Sequence, residues 1–293
     1  MRLHFLGCGT KGLIHSNGNN SALIITQNQG NNMLLMDCGG NTDKAIERTN
    51  ILGDIDNVVA FFSHTHPDHM NKVVYLLEEC RRRKINFRFL LPTDRSAGSP
   101  YEELMEELTD NYKIRARDLK ELWPHRVAAM MNLDGITMET IKHGAGNSTA
   151  LILKQRPFGD KVRTDTVYAT DHNDEEFIER MIRSERTLEH LYTDSTDCAG
   201  SQEHMTFNKL RELIPLRLRS RVTLMHMNSN QLSFRAQWEG FNTADDLLIR
   251  CEGIKDDTDE TAEGKKNGND NGNGRQQCHR RHPRQCSIMP RGR

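Results

Sequence analysis

The stretch Asn-Val-Val-Ala-Phe-Phe-Ser-His-Thr-His-Pro-Asp-His, residues 57 to 69, joins an apolar run that predicts a β-strand to a loop rich in histidine and aspartate. His64 and His66 are spaced by two, so in an extended segment their side chains project to the same side. Asp68 and His69 follow as the chain turns toward a helix. Four metal-binding side chains within six residues exceed what one tetrahedral ion takes from a local segment. The stretch therefore predicts a site for two metal ions.

Three further candidate ligands each follow an apolar run elsewhere in the chain. His143 follows Ile-Thr-Met-Glu-Thr-Ile-Lys, Asp171 follows Thr-Val-Tyr-Ala-Thr, and His226 follows Arg-Val-Thr-Leu-Met. Taken alone, each is typical of a surface residue with ordinary partners. Side chains at strand ends can converge on one edge of a sheet, so together with the loop these residues predict one functional site.

Short runs rich in β-branched and aromatic residues recur through the first 250 residues, and helical patterns separate some of them. Residues 68–84 form an amphipathic pattern, and Ser99-Pro100-Tyr101-Glu102 is a helix start signal. Two more helices are predicted over residues 174–184 and 205–213. Strands in hairpin-like pairs, followed by strands that alternate with helices, favour a layered α/β sandwich in a single domain.

Residues 253–293 differ in composition from residues 1–252. Only six of these 41 residues are apolar, which predicts a disordered tail after a globular hydrolase domain. The domain has 31 basic and 35 acidic side chains, whereas the tail has 9 basic and 6 acidic ones, with six arginines and no acid after Asp270. A globally basic nucleic-acid binder is not indicated, although the basic end of the tail leaves contact with RNA open.

Cellular location is indicated only by what the sequence lacks. No apolar run approaches the roughly 20 residues of a membrane span, and Met1–Thr10 has no secretory signal pattern. The seven cysteines are odd in number and scattered, which predicts free thiols in a reducing compartment. We therefore expect a cytoplasmic protein without membrane contact, in the host cytoplasm if the source is viral.

The motif and the order of the candidate ligands resemble the metallo-β-lactamase superfamily over roughly residues 1–230. The resemblance implies an αββα sandwich and two divalent ions, with zinc expected and manganese as the alternative. It implies one ion on His64, His66 and His143. It implies the other on Asp68, His69 and His226, with Asp171 bridging the two. A water between the ions would be the nucleophile, and Asp68 would orient it.

Differences between this sequence and other members of the superfamily indicate which branch it resembles. His66 stands where di-iron redox members carry glutamate, which favours hydrolysis. Most true β-lactamases of this fold lack the equivalent of His69 and carry a signal peptide, so antibiotic hydrolysis is disfavoured. Residues 6–10, 19–24 and 34–39 are similar to the tRNA 3′-processing endonucleases of the RNase Z type.

Two features of RNase Z are missing from this sequence. His143 and Asp171 are only 28 positions apart, and RNase Z inserts between them the arm that grips tRNA. Thr193 replaces the first histidine of its His-Glu-Ala-Thr segment. His204, in Glu-His-Met-Thr, matches a His-x-Thr segment of that family. It is a candidate catalytic proton donor or phosphate contact, and the alternative is a surface histidine near a helix start.

A sequence with this N-terminal segment and these ligands, but without the tRNA-gripping arm, resembles the viral anti-Pycsar enzymes. These are small homodimers that hydrolyse nucleoside 3′,5′-cyclic monophosphates. We therefore expect a two-metal phosphodiesterase that acts on a small nucleotide and forms a homodimer. The alternatives are an RNase Z-like nuclease acting on RNA and an inactive protein that sequesters a nucleotide. Residues 142–148 are a phosphate-facing loop or a plain connector, and residues 101–123 are a lid, a dimer surface or ordinary surface helices.

Overall fold

A computed structural model describes residues 2–8, 20–143, 146–156, 162–227 and 229–249. The first half of the chain builds one β-sheet of five strands in the order β1-β2-β3-β4-β5. Its strands are β1 (His4–Cys8), β2 (Asn20–Gln27), β3 (Asn31–Met36), β4 (Asn57–Phe61) and β5 (Asn86–Leu90). The pairs β1-β2 and β2-β3 are antiparallel, and the pairs β3-β4 and β4-β5 are parallel.

The second half builds a sheet of six strands in the order β11-β10-β9-β8-β7-β6. Its strands are β6 (Gly135–His143), β7 (Gly146–Gln155), β8 (Thr164–Ala169), β9 (Leu188–Asp194), β10 (Val222–Met225) and β11 (Asn242–Thr243). The pairs β6-β7 and β7-β8 are antiparallel, and the pairs from β8 to β11 are parallel. In each sheet, several parallel strands therefore end at the same edge. The loops that follow these strands can bring functional side chains close together.

Helices cover the outer face of each sheet, apart from the helix over Pro124–Met130, whose Val127 and Ala128 pack in the layer between the sheets. They are α1 (Thr42–Thr49), α2 (Pro67–Met70), α3 (Val73–Arg83), α4 (Pro100–Glu106), α5 (Pro124–Met130), α6 (Glu175–Arg183), α7 (Phe207–Leu213), α8 (Leu216–Arg219) and α9 (Asn230–Trp238). A π-helical turn, Glu107–Asn111, continues α4, and short 3-10 turns lie at Ala116–Asp118 and Ala244–Leu247.

Three apolar clusters fill the layers between these elements. The central cluster lies between the two sheets and joins side chains such as Phe5 and Phe61 to Tyr168 and Tyr192. A second cluster packs the outer face of the first sheet against helices that include α1 and α3, and a third packs the second sheet against helices that include α6 and α7. The predicted αββα sandwich in a single domain is confirmed.

Local predictions agree with the structure except in one helix. The amphipathic pattern over residues 68–84 predicts one helix, but the chain forms α2 and α3 with a break at Asn71 and Lys72. The backbone N–H of Lys72 donates instead to the carbonyl of Cys38, at 2.9 Å, so a tertiary contact interrupts the helix. The tail predicted for residues 253–293 lies outside the described residues. Within the described ones, no helix is long and apolar enough to cross a membrane.

Candidate active site

The candidate ligands converge where the strands of both sheets end. Asp171, which follows β8, lies at the centre of the cluster. Its Oδ2 is 3.4 Å from Nε2 of His64 and 3.8 Å from Nδ1 of His66. Its Oδ1 is 3.4 Å from Nε2 of His69 and 3.5 Å from Nδ1 of His226. One buried carboxylate is therefore surrounded by four imidazoles, which is an arrangement suited to bridging two cations.

Asp68 completes one side of this cluster. Its Oδ2 lies 3.1 Å from Nε2 of His226 and 3.7 Å from Nε2 of His69. Ligand atoms of these three residues all lie within 4.8 Å of one another, as do those of His64, His69 and Asp171. The structure thus brings six of the seven candidate ligands together.

The seventh candidate ligand, His143, is the last residue of β6. Its side chain lies outside the part of the chain that the structure describes, so its place in the ligand set stays a prediction.

Protonation in the cluster follows from burial and charge. Burial, helped by the charge of His69, lowers the pKa of His64 to about 4, so this ring is neutral at neutral pH, as a metal ligand must be. For Asp171, burial works in the opposite direction, but the imidazoles of His226 and His69 outweigh it and hold its pKa well below the usual range. The central carboxylate is therefore ionised and can hold a cation.

The backbone is strained at two of the strand ends that supply ligands. Asp171 has a φ of 51° and His226 a φ of 51°, in the left-handed region that non-glycine residues rarely adopt. Such conformations cost on the order of 1–3 kcal/mol each and cluster at functional sites. Here they turn the chain sharply after β8 and β10, where the two ligands are required.

Asp37 was not among the predicted site residues, and the structure shows that it holds one of the candidate ligands, His69, by a hydrogen bond. This buried carboxylate follows β3 and accepts hydrogen bonds from Nδ1 of His69 at 2.9 Å, Oη of Tyr168 at 2.7 Å and the backbone N–H of Ser63 at 2.8 Å. Since a carboxylate only accepts, Nδ1 of His69 carries the hydrogen and Nε2 is left to face the cluster. An aspartate directly after the apolar run Leu-Leu-Met was the available signal.

The next two residues hold the ligand loop by their backbone. Cys38 donates its N–H to the carbonyl of His69 at 2.6 Å. A Cβ added to Gly39 would lie 1.8 Å from the carbonyl oxygen of Asp68, a distance that no side chain can occupy. Glycine is therefore required here by the close approach of two backbones.

His204 lies beside the cluster, between β9 and α7. Its Nδ1 donates to Oδ2 of Asp194 at 2.8 Å, and its ring centroid is 5.2 Å from that of His226. Burial disfavours the charged ring, but the hydrogen bond and charge of Asp194 outweigh it and raise the pKa of His204 to about 9. Asp194, fully buried, is a second residue that the sequence reasoning missed.

The insertion over residues 101–123 packs against the ligand loop. Oγ1 of Thr65 donates to Oε1 of Glu103 at 2.6 Å, and Nδ2 of Asn147 donates to the carbonyl of Gly98 at 3.3 Å. Helix α4 therefore borders the mouth of the cluster on the side of the β6–β7 hairpin.

The buried donors fit divalent metal ions. Within the described residues, Nε2 of His69 is buried and makes no hydrogen bond, although the carboxylates of Asp171 and Asp68 lie nearby. An unsatisfied imidazole nitrogen at an anionic cluster is typical of a ligand that faces a cation. The fold and the cluster together are those of a metal-dependent hydrolase of the metallo-β-lactamase fold.

Comparison with known families agrees with this class. Residues 1–244 match the family model described as Anti-Pycsar protein Apyc1, so the chain belongs to that family. No curated protein sequence matches the chain.

Several solved structures share the fold at low sequence identity. A diphosphatase from the PhnP family is 12% identical, with a TM-score of 0.56, over 82% of this chain and 93% of that one. The metallo-β-lactamase fold protein YhfI from Bacillus subtilis is 14% identical, with a TM-score of 0.54, over 85% and 95%. A long-form RNase Z from yeast is 15% identical, with a TM-score of 0.54, over 78% of this chain but only 37% of that one.

Proposed function

We propose that this protein hydrolyses the phosphodiester of a nucleoside 3′,5′-cyclic monophosphate to give the linear monophosphate. The observation that carries the proposal is the cluster around Asp171 with His204 beside it, in a chain of the anti-Pycsar family. The cluster would supply a cation site for phosphate oxygens, and His204 an acid for the leaving oxygen.

The ligand sets of the proposal are those that the resemblance implies. His64, His66 and His143 would hold one ion, and Asp68, His69 and His226 the other, with Asp171 shared. The ligand atoms of Asp68, His69 and His226 form one compact group, which supports the second set. Nitrogen-rich donors favour zinc, and manganese is the alternative. When bound, two such ions would neutralise charge on the phosphate oxygens and make the attacking water easier to ionise.

The side chains of this chain direct the reaction. Asp68 stays ionised because its hydrogen bond with His226 outweighs the effect of burial and lowers its pKa, so it can accept a hydrogen bond from the attacking water. His204 is protonated below its pKa of about 9. Its Nδ1 is held by Asp194, so Nε2 is the nitrogen that can give a proton to the leaving ribose oxygen.

The short span between His143 and Asp171 favours a small substrate. Strands β7 and β8 occupy most of it, and the residues there that the structure does not describe are 144–145 and 157–161. That span has no room for an RNA-gripping arm. The RNase Z-like nuclease and the nucleotide-sequestering protein remain the competing functions.

A substrate panel tests the proposal. Purified protein with Zn²⁺ or Mn²⁺ should convert cyclic mononucleotides to linear products, read by chromatography, and should leave cyclic dinucleotides and a tRNA precursor intact. His66→Ala should abolish turnover, whereas His125→Ala, at an exposed histidine of α5, should leave it unchanged. Cleavage of the tRNA precursor alone would favour the nuclease, and binding without turnover would favour sequestration. Light scattering during size exclusion would test the expected homodimer.

A further inference from the structure

Three large apolar side chains are exposed together on the outer face of the second sheet's helix layer. Leu216 of α8 is 72% exposed, and Phe234 and Trp238 of α9 are 73% and 92% exposed. Phe234 and Trp238 are one helical turn apart and share a face. Cδ1 of Leu216 lies 3.7 Å from where a Cβ of Gly240 would stand, just past Trp238. We call these three side chains the α9 patch.

The candidate active site does not explain the α9 patch. Trp238 ends α9, roughly 12 Å along the helix axis from its first residue, Asn230, which is the end near His226. An open depression lies between Phe234, Arg235, Trp238 and Glu239. Clustered exposed aromatic side chains next to a depression are typical of an interaction surface.

The surroundings of the α9 patch are acidic on one side. Oδ2 of Asp245 accepts a hydrogen bond from Ser233 at 3.0 Å, and Oδ2 of Asp246 accepts one from Gln237 at 3.2 Å. Two carboxylates therefore lie against α9, and Arg235, which lines the depression, is ion-paired with Asp197 at 2.9 Å. A basic segment with apolar side chains is therefore a complementary ligand.

The chain itself contains one segment of this kind. Of the six apolar residues among 253–293, three fall together at Cys286, Ile288 and Met289. Arginines flank them on both sides, at positions 284, 291 and 293. We propose that residues 284–293 dock on the α9 patch, with Ile288 and Met289 against the aromatic rings and the arginines facing the two carboxylates.

Chain length permits this docking. Residues 250–285 connect Ile249 to Cys286, and a chain of that length can span on the order of 100 Å when extended. A tethered segment also has an effective concentration on the order of millimolar, so even a weak site would be occupied.

The fluorescence of Trp238 tests the proposal in the full chain. The sequence contains two tryptophans, so Trp123→Phe leaves Trp238 as the single reporter. In that background, Ile288→Ser with Met289→Ser should shift the emission to longer wavelength and increase quenching by acrylamide. The matched control, Ile254→Ser with Ala262→Ser, should leave both unchanged.

Two results would overturn the proposal. One is an emission maximum that the Ile288→Ser and Met289→Ser changes do not move. The other is a short-wavelength emission that disappears on dilution, which would show that a second copy covers the α9 patch. If the proposal is correct, the emission is independent of protein concentration, and a charge reversal at Arg284 and Arg291 weakens the docking.

Discussion

Replacing Asp37 by asparagine removes one negative charge beneath the candidate metal cluster with almost no change in shape. The carboxylate accepts hydrogen bonds from His69, Tyr168 and Ser63, at 2.7 to 2.9 Å. An asparagine side chain has one acceptor oxygen and one amide group. If that oxygen keeps the hydrogen bond from Ser63, its NH₂ group faces the Nδ1–H donor of His69, whereas the hydroxyl of Tyr168 can rotate to accept a hydrogen bond from the NH₂ group.

The expected loss of stability follows from the hydrogen bond between His69 and residue 37. A hydrogen bond to a charged group contributes about 1.5–3 kcal/mol of folding free energy. His69 can escape the clash only by moving its hydrogen to Nε2, the nitrogen that faces Asp171. That tautomer cannot bind a cation, and loss of such a supporting group typically lowers metal affinity by about 10–100-fold.

Chelator competition measures this metal affinity, and urea unfolding measures the stability. We expect Asp37→Asn to bind metal about 10–100-fold more weakly, and the protein to unfold at lower urea concentration. Tyr168→Phe is the matched control, because it removes one hydrogen bond to Asp37 but leaves the contact with His69. Its metal affinity should be close to that of the parent. Unchanged metal affinity in Asp37→Asn would refute the assigned role of this carboxylate.

Four further outcomes are expected. Gly39→Ala should prevent metal loading, measured by elemental analysis, because its Cβ would overlap the carbonyl of Asp68. His204→Ala should lower kcat by roughly 10²–10⁴-fold with metal content unchanged, and wild-type turnover would show that the proton comes from elsewhere. Burial lowers the pKa of His190 to about 4 from 6.5, so the unfolded state binds more protons between these pH values and stability falls as pH drops through them. The loss is about 3 kcal/mol at full protonation, and His190→Gln should reduce the pH dependence of urea unfolding by that amount, leaving the contribution of His64. A chain ending at Gly253 should keep its turnover within about tenfold, and a larger loss would place the tail in catalysis or assembly.

The layer architecture was predictable from the sequence, because strand and helix patterns follow local periodicity. Apolar runs such as Asn57–Phe61 are followed by polar and ionisable residues, which are rarely buried in a core. The change from apolar to polar residues indicates where the strand reaches the edge of the sheet. The break between α2 and α3 was not predictable in the same way, since it depends on the carbonyl of Cys38, some 34 residues earlier in the chain. Periodicity carries no information about such tertiary hydrogen bonds.

The candidate ligands were predictable because metal binding uses few residue types, which stand out at the ends of apolar strands. Asp37 and Asp194 were missed although both are fully buried beside the cluster. A single aspartate after a strand is common, and only the fold shows that these two accept hydrogen bonds from His69 and His204. Residues that orient a ligand or an acid have no spacing rule of their own.

The candidate ligand cluster depends on the closure of the sandwich. Asp171 follows β8 of the second sheet, whereas the loop that carries His64 and His69 follows β4 of the first. Their contacts, at 3.4 Å from each imidazole to the carboxylate, therefore join the two sheets. The ligands from the two halves of the chain can meet only when both sheets have packed. Metal affinity should therefore fall with any core substitution that separates the sheets, even one far from the cluster.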